Sequence, residues 1–217
     1  MGQHLSKHFR AAAALCAALC AASAAAQDGA AAAANRVAMA GGTCARQQWP
    51  REALRYEIEG KVRIGYRVTP EGDVNEARVT KSSGWALLDA ASVAAAKTCR
   101  FTPEQAAAVQ DRELPVEFVW TLGEDRAYPR LVPGSCVPSG AIGDFQPFDN
   151  GPTNATGAKV RFLINGNGQP YDVKLEGNPD AALADQVARH LETCRFAFDP
   201  DAVGMRSHTL TGRVSLR

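Results

Sequence analysis

The tetrapeptide Thr-Cys-Arg-Phe occurs at residues 98–101 and again at residues 193–196. Each occurrence follows an alanine-rich run, residues 85–97 and residues 180–192, in which apolar residues recur at helical spacing and few are β-branched. Both runs are therefore predicted to be helices that end at the tetrapeptide. An unusual tetrapeptide repeated in the same position after two helices indicates tandem duplication of one structural unit.

Alternating apolar residues lie upstream of each predicted helix. In the first copy, residues 62–79 alternate on both sides of a turn that contains Gly72, and in the second, residues 160–175 do so around Gly168. Alternation on both sides of a glycine-bearing turn predicts a β-hairpin. Each copy is thus predicted to begin with two antiparallel strands and to continue into a helix.

A further strand pattern closes each copy, at residues 114–122 and 210–216. We expect an α+β fold of two tandem domains, each a small antiparallel sheet made of a hairpin, a helix and a closing strand. The predicted order is a flexible leader at 27–43, a domain at 44–123, a linker at 124–134 and a second domain at 135–217. Residues 145–156 are rich in turn formers and are predicted to be a loop in place of the entry helix of the first copy.

Residues 1–26 have the order of a secretory signal peptide. Lys7 and Arg10 precede an apolar run, and small residues end it, so we expect cleavage after Ala26. The alternative is an uncleaved membrane anchor, but a spanning helix needs about 20 strongly apolar residues, and this stretch is shorter and mostly alanine. The sequence therefore favours an exported, periplasmic protein.

Four cysteines remain after removal of such a signal. An even number of cysteines in an exported chain is typical of disulfides, and four cysteines allow three pairings. One cysteine of each copy lies near its start and one in the repeated tetrapeptide, which favours pairing within each copy. The predicted bonds are Cys44–Cys99 and Cys136–Cys194.

Charge and motifs argue against several classes of function. The chain has 24 basic and 23 acidic residues and a formal net charge of +1, so we expect no nucleic-acid partner. Its histidines, at positions 4, 8, 190 and 208, lack metal-ligand spacing, and no Cys-x-x-Cys occurs. We therefore expect no catalytic residues, no metal and no cofactor.

The motifs of the first copy, taken together, resemble the C-terminal domain of the TonB family, the periplasmic end of a bacterial energy transducer. They are Trp49-Pro50, Ala53, Gly60, Gly72, Ser82-Ser83-Gly84, Leu88-Asp89 and Phe101-Thr102-Pro103. The second copy resembles a degenerate form of the same domain. It keeps the hairpin, the helix and the last strand, but it lacks the Trp-Pro entry and has Gly177-Asn178-Pro179 in place of Ser-Ser-Gly.

The resemblance implies an exposed strand edge that captures an extended segment of an outer-membrane receptor by strand addition. The edge is the closing strand of the first copy, with two entry residues nearby. The implied partner-binding residues are Val116, Glu117, Phe118, Val119, Trp120, Gln48 and Trp49. Alternation places the side chains of Val116, Phe118 and Trp120 on one face, which we expect to be the core, so that a partner would meet backbone, Glu117 and Val119.

The expected function is therefore that of a periplasmic TonB-like protein that binds a receptor segment or another periplasmic protein in outer-membrane transport. One alternative is a structural envelope protein that self-associates, for example as a homodimer, through its open strands. Another is a membrane-anchored energy transducer, if the N-terminus is not cleaved. The leader at 27–43 is short and contains no proline-rich tract, so we expect no transmission of force.

Overall fold

The computed structural model describes residues 42–123 (the first half) and 125–217 (the second half). The fold is α+β, and each half contains a small antiparallel sheet, as the sequence predicts. The predicted signal peptide and the leader up to residue 41 lie outside the described residues. In the part of the chain that is described, no helix combines the length and apolar character needed to cross a membrane.

The first half forms a three-stranded sheet with its main helix packed against it. Its elements are α1 (Arg51–Arg55), β1 (Gly60–Val68), β2 (Val74–Lys81), α2 (Ala86–Lys97), α3 (Pro103–Val109) and β3 (Leu114–Trp120). The strand order is β2-β1-β3, and both pairings are antiparallel. Helix α3 was not predicted, although Thr102 and Gln105 form a capping box around Pro103 at its start.

The second half forms a four-stranded sheet. Its elements are β4 (Arg126–Ala127), β5 (Arg130–Leu131), β6 (Ile142–Pro147), β7 (Ala158–Ile164), β8 (Pro170–Leu175), α4 (Ala181–Thr193), β9 (Phe196–Ala197), β10 (Met205–Arg206) and β11 (Thr209–Leu216). The strand order is β6-β11-β7-β8, all antiparallel. The prediction of a loop at 145–156 is wrong at its start, because residues up to Pro147 belong to β6. The turn-forming residues at this position gave no strand pattern, because β6 pairs with a strand that is distant in sequence.

The segment predicted as a linker, residues 124–134, contains two short strands. Strand β4 pairs in parallel with β10, and β5 pairs antiparallel with β9. Both partners belong to the second half, so this segment is hydrogen-bonded into that half along much of its length.

The phenylalanine of each tetrapeptide holds the turn of its own hairpin. The Phe101 amide donates to the Gly72 carbonyl at 2.9 Å, and the Phe196 amide donates to the Gly168 carbonyl at 2.8 Å. Both glycines have positive φ, +90° and +75°, and a Cβ on either would overlap the phenylalanine carbonyl oxygen. Glycine is therefore required at both turns by backbone conformation and by close approach.

The cysteine and threonine of each tetrapeptide hold the entry segment. Both predicted disulfides are present, Cys44–Cys99 and Cys136–Cys194, and they close 55 and 58 residues. Thr98 Oγ1 accepts the Ala45 amide at 3.2 Å, and Thr193 Oγ1 accepts the Val137 amide at 3.0 Å. Loops of this size give each disulfide about 4 kcal/mol of stabilisation on a chain-entropy estimate. The tetrapeptide thus makes the same contacts in both halves.

An arginine of β7 joins the two halves, which belong to one compact unit. The Arg161 guanidinium lies 2.6 Å from Glu52 of α1 and 2.6 Å from Glu176, and the side chains of Arg161 and Glu176 are 9% and 5% exposed. The second carboxylate oxygen of Glu176 accepts the Ala86 amide at 2.8 Å. A side chain of the second half therefore caps helix α2 of the first half.

Lys159 makes a second contact between the halves. Its ammonium lies 4.2 Å from the centre of the Trp85 ring and donates to the Gly151 carbonyl at 3.0 Å. Burial lowers the pKa of Lys159. A Cβ on Gly84, which has a φ of +84°, would lie 2.6 Å from this ammonium. Gly84 therefore makes room for a buried cation as well as providing a turn.

Candidate partner-binding edge

Strand β3 is an edge strand. On one side it pairs with β1 over its full length, with Val62 opposite Phe118. Among the described residues, no strand pairs with its other side. That outer side presents backbone groups of the kind that a further strand can bond.

Side chains alternate strictly along β3. Val116, Phe118 and Trp120 are buried in the core of the first half, while Glu117 and Val119 are exposed. Val119 is 46% exposed, which is high for a branched apolar side chain in a strand. A strand placed beside β3 would therefore meet Glu117 and Val119 on its solvent-facing side.

Pro115 indicates which backbone groups of β3 point outward. Residues of an antiparallel strand direct their N–H and C=O groups alternately toward the two neighbouring positions. Proline has no N–H, and it is tolerated in an edge strand where the missing donor would face outward. Glu117 and Val119 share the parity of Pro115, so their amides and carbonyls face the unpaired side.

The same parity holds in the second half, where it can be read from hydrogen bonds. The Ile164 amide of β7 bonds to the carbonyl of His208, an even-numbered residue, at 2.8 Å. The Phe148 amide, on the opposite side of β11, bonds to the carbonyl of Thr211 at 2.8 Å. Odd-numbered residues of β11 therefore face outward, which matches the assignment for β3.

The entry residues implied by the resemblance lie near the end of this edge. The Trp49 ring packs edge-on against Trp120, with ring centres 5.2 Å apart. Gln48 is exposed, whereas its neighbour Gln47, which the sequence did not single out, is buried. Trp49 thus shields the core side of the last residue of β3.

Charges near the edge are mixed and weak. Glu117 forms a 3.4 Å ion pair with Arg63 of β1, and both side chains are well exposed. Lys61 lies opposite Val119 in the register and is also exposed. Exposed pairs of this kind contribute at most about 1 kcal/mol. Backbone hydrogen bonding is therefore the main interaction that the edge of β3 can offer a partner.

The Ser-Ser-Gly motif has a structural role. The Asp89 carboxylate accepts hydrogen bonds from the Ser83 amide at 2.9 Å, the Ser83 hydroxyl at 2.8 Å and the Ser82 hydroxyl at 2.5 Å. Neither serine caps helix α2, since Trp85 occupies the cap position and its side chain makes no capping bond. Both serines instead fix the loop to Asp89, and Glu176 caps the helix.

One group of potential metal ligands occurs among the described residues. The sulfur atoms of Cys136 and Cys194 and a ring nitrogen of His190 lie within 4.8 Å of one another. The two cysteines form a disulfide, so they cannot act as thiolate ligands. Burial lowers the pKa of His190, which packs beside the disulfide as a partly buried ring.

Comparison with known families identifies the first half. Residues 45–122 match the family described as Gram-negative bacterial TonB protein C-terminal. This part of the chain is a TonB C-terminal domain. No curated protein and no solved structure matches the chain at a significant level.

The match lies within the predicted boundaries, 44–123, and ends before the second half. The TonB C-terminal domain is a non-enzymatic interaction domain of Gram-negative envelope transport, which is consistent with the expectation that the chain is not an enzyme. Outer-membrane receptors are the kind of partner with which the family interacts. The open edge of β3 lies inside the matched residues.

Proposed function

We propose that the protein is a periplasmic TonB-like binding protein whose strand β3 captures an extended segment of an outer-membrane receptor by strand addition. The observation that carries this proposal is the unpaired outer side of β3 with the outward-facing backbone of Glu117 and Val119. Main-chain hydrogen bonds supply the affinity in this mode of recognition.

The surroundings of β3 support one bound segment. Val119 offers an apolar contact on the solvent side, and Trp49 closes the core side at Trp120. Phe118 and Trp120 already fill the core of the first half, being 1% exposed each. A bound segment therefore has no hollow to fill there, so we expect it to bind without inserting a large side chain.

We further propose that the second half is a degenerate duplicate of the TonB C-terminal domain. Both halves share the order hairpin, helix, closing strand, with the closing strand beside the first strand of the hairpin. They also share the disulfide position and the contact between a phenylalanine amide and a glycine carbonyl. One difference is that the closing strand of the second half, β11, has β6 paired with its outer side.

We place the protein in the periplasm, released by cleavage after Ala26, and not in the membrane as a force-transmitting transducer. The support is the order of charged, apolar and small residues at 1–26, together with the family of the first half. The intact mass of the protein from its native host tests this. A mass that begins at Gln27 supports export, and a mass that retains Met1 in the membrane fraction supports the anchored alternative.

A proline substitution tests the edge directly. Val119→Pro removes one outward amide and leaves the donors that bond to β1, so the fold is retained while strand addition loses a hydrogen bond and meets the proline ring. We expect at least a tenfold loss of affinity for synthetic peptides that cover the N-terminal segments of TonB-dependent receptors, measured by calorimetry. The matched control, Val119→Thr, keeps the amide and a branched side chain and should bind as the wild type does.

Unaltered binding by a folded Val119→Pro variant would refute strand addition at β3. If the wild type binds none of the peptides but forms a dimer that Val119→Pro dissociates, the edge serves self-association instead. Sedimentation at several protein concentrations separates these outcomes.

A further inference from the structure

The closing strand of the second half is not open on its outer side. Strand β6 lies there, antiparallel, with Gln146 opposite Arg213 and Phe145 opposite Val214. The matched hairpin turns at Gly72 and Gly168 place Lys159 where Arg63 stands, so Arg213, which faces Lys159, stands where Glu117 faces Arg63. Strand β6 therefore occupies the edge that corresponds to the open edge of β3.

The two closing strands also differ in what they put into the core. Ile64 faces Val116 in the first half, and Val160, at the place of Ile64, faces Gly212 in the second. Gly212 thus has no side chain where Val116 is buried in the first core. A Cβ on Gly212 would overlap the ring of Phe145 and the backbone of Gln146. The absence of a side chain at Gly212 is therefore what lets β6 lie so close to β11.

Strand β6 supplies the missing apolar groups. The Phe145 ring lies 5.5 Å from the Phe162 ring and 5.9 Å from the Phe196 ring, both in the core of the second half. Ile142, at the other end of β6, is 2% exposed and belongs to the same core. A bulge in the pairing between Val214 and Leu216 lets both side chains, three residues apart, point inward.

We propose that the outer edge of β11 is a second strand-binding site, kept occupied by β6 of the same chain, which recognises an extended segment with an isoleucine and a phenylalanine spaced as Ile142 and Phe145 are. This site is separate from the edge of β3. It takes an inserted aromatic side chain because Gly212 leaves room for the Phe145 ring, whereas β3 has Val116 at the matching position. In the intact protein β6 is the ligand, so the second half is closed to receptor segments.

Binding in trans tests this site. The full-length double variant Ile142→Ser/Phe145→Ser keeps the backbone of β6 but removes both apolar anchors. We expect it to bind a labelled peptide of residues 140–149 with one-to-one stoichiometry, while the wild type binds it at least tenfold more weakly because β6 competes. A peptide carrying Phe145→Ala should bind the variant at least about tenfold more weakly, given the apolar area of one phenylalanine.

Two results would overturn the proposal. One is a folded double variant that fails to bind the peptide, and the other is equal affinity for the peptide without phenylalanine. Adding Val119→Pro to the double variant distinguishes peptide binding at β11 from peptide binding at β3. Peptide binding should persist in that triple variant, and its loss would show that the peptide docks on β3 instead.

If the double variant does not fold, hydrogen exchange on the wild type tests the proposal instead. An occupant strand opens without the rest of its sheet. We therefore expect the amides bonded between β6 and β11 to exchange at least tenfold faster than those bonded between β7 and β11. Equal protection across both pairings would show that β6 is an integral strand and not a displaceable ligand.

Discussion

The two closing strands, β3 and β11, are built alike but are completed differently. β3 places Val116 in its own core and leaves its outer side unpaired, while β11 has Gly212 at the matching position and is covered by β6. The entry segment makes the difference. In the first half it forms α1 and places Trp49 on Trp120, and in the second half it forms β6. In this chain the open edge belongs to the strand that supplies its own core side chain, and the covered edge to the strand that does not.

The largest effect should come from removing the core side chain of each edge. Phe118→Ala leaves a cavity in a fully buried site and should cost about 4 kcal/mol. Phe145→Ala should cost about 2 kcal/mol, because its ring is only partly buried. Urea unfolding of both variants measures the two values. Equal losses would mean that the two aromatic rings complete their cores to the same degree.

The next effect concerns the contact that holds the halves together. Arg161→Ala leaves Glu176 buried without its cation and should lower the free energy of unfolding by about 3 kcal/mol. Glu52→Gln is the control, since Glu52 is 48% exposed, and it should cost less than about 1 kcal/mol. Thermal unfolding of both variants checks this. If the two substitutions have the same small effect, the network does not couple the halves.

Substitution of the turn glycine should lower the free energy of unfolding equally in both halves. Gly72→Ala and Gly168→Ala each place a Cβ against a phenylalanine carbonyl at positive φ, so each should cost about 2 kcal/mol. Gly123→Ala is the control, because Gly123 also has positive φ, +70°, but no atom within 4 Å of its Cβ position. It should cost about 1 kcal/mol. Denaturant midpoints of the three variants decide whether close approach adds to backbone strain.

The smallest effect is a pH dependence that arises from Asp149, a carboxylate of the second half. Burial alone would raise the pKa of Asp149, but hydrogen bonds from the Gly151 amide and the Arg213 guanidinium lower it below its ordinary 3.8. A carboxylate whose pKa is lowered by folding stabilises the fold at pH values above its ordinary pKa. This stabilisation is lost as the pH falls through the lowered pKa.

Asp149→Asn should therefore remove about 1 kcal/mol of stability at neutral pH and less below pH 3.8. Unfolding curves of wild type and variant at neutral pH and in acid measure the difference. Because Glu117, an acidic residue, stands at the place of Arg213, the first half has no counterpart of this ion pair. If the free energy of unfolding differs between wild type and variant by the same amount at every pH, the charge of the Asp149 carboxylate is not the cause of the difference.

Local patterns predicted much of each half. Alternation around Gly72 and Gly168, the alanine-rich helices and the repeated tetrapeptide were sufficient for the two sheets and for both disulfides. The candidate edge followed from the family resemblance and from alternation along β3. These features are readable because each depends on residues close in sequence or on a repeated spacing.

Strand β6 and the contacts of Arg161 could not be predicted in the same way. Residues 142–147 contain glycine, aspartate and proline and lack an alternating pattern, so the strand exists only through its pairing with β11, far along the chain. The cap of α2 by Glu176 likewise joins groups that are distant in sequence.

The sequence by itself determined the two hairpin-and-helix segments, the disulfide pairing and the alternation of β3, because local geometry and repeated spacing encode them. Only the tertiary structure decided which of the two closing strands is open. That outcome depends on how the core around Val116 or Gly212 is completed and on which segment lies alongside. Both are properties of long-range packing rather than of any one stretch of chain.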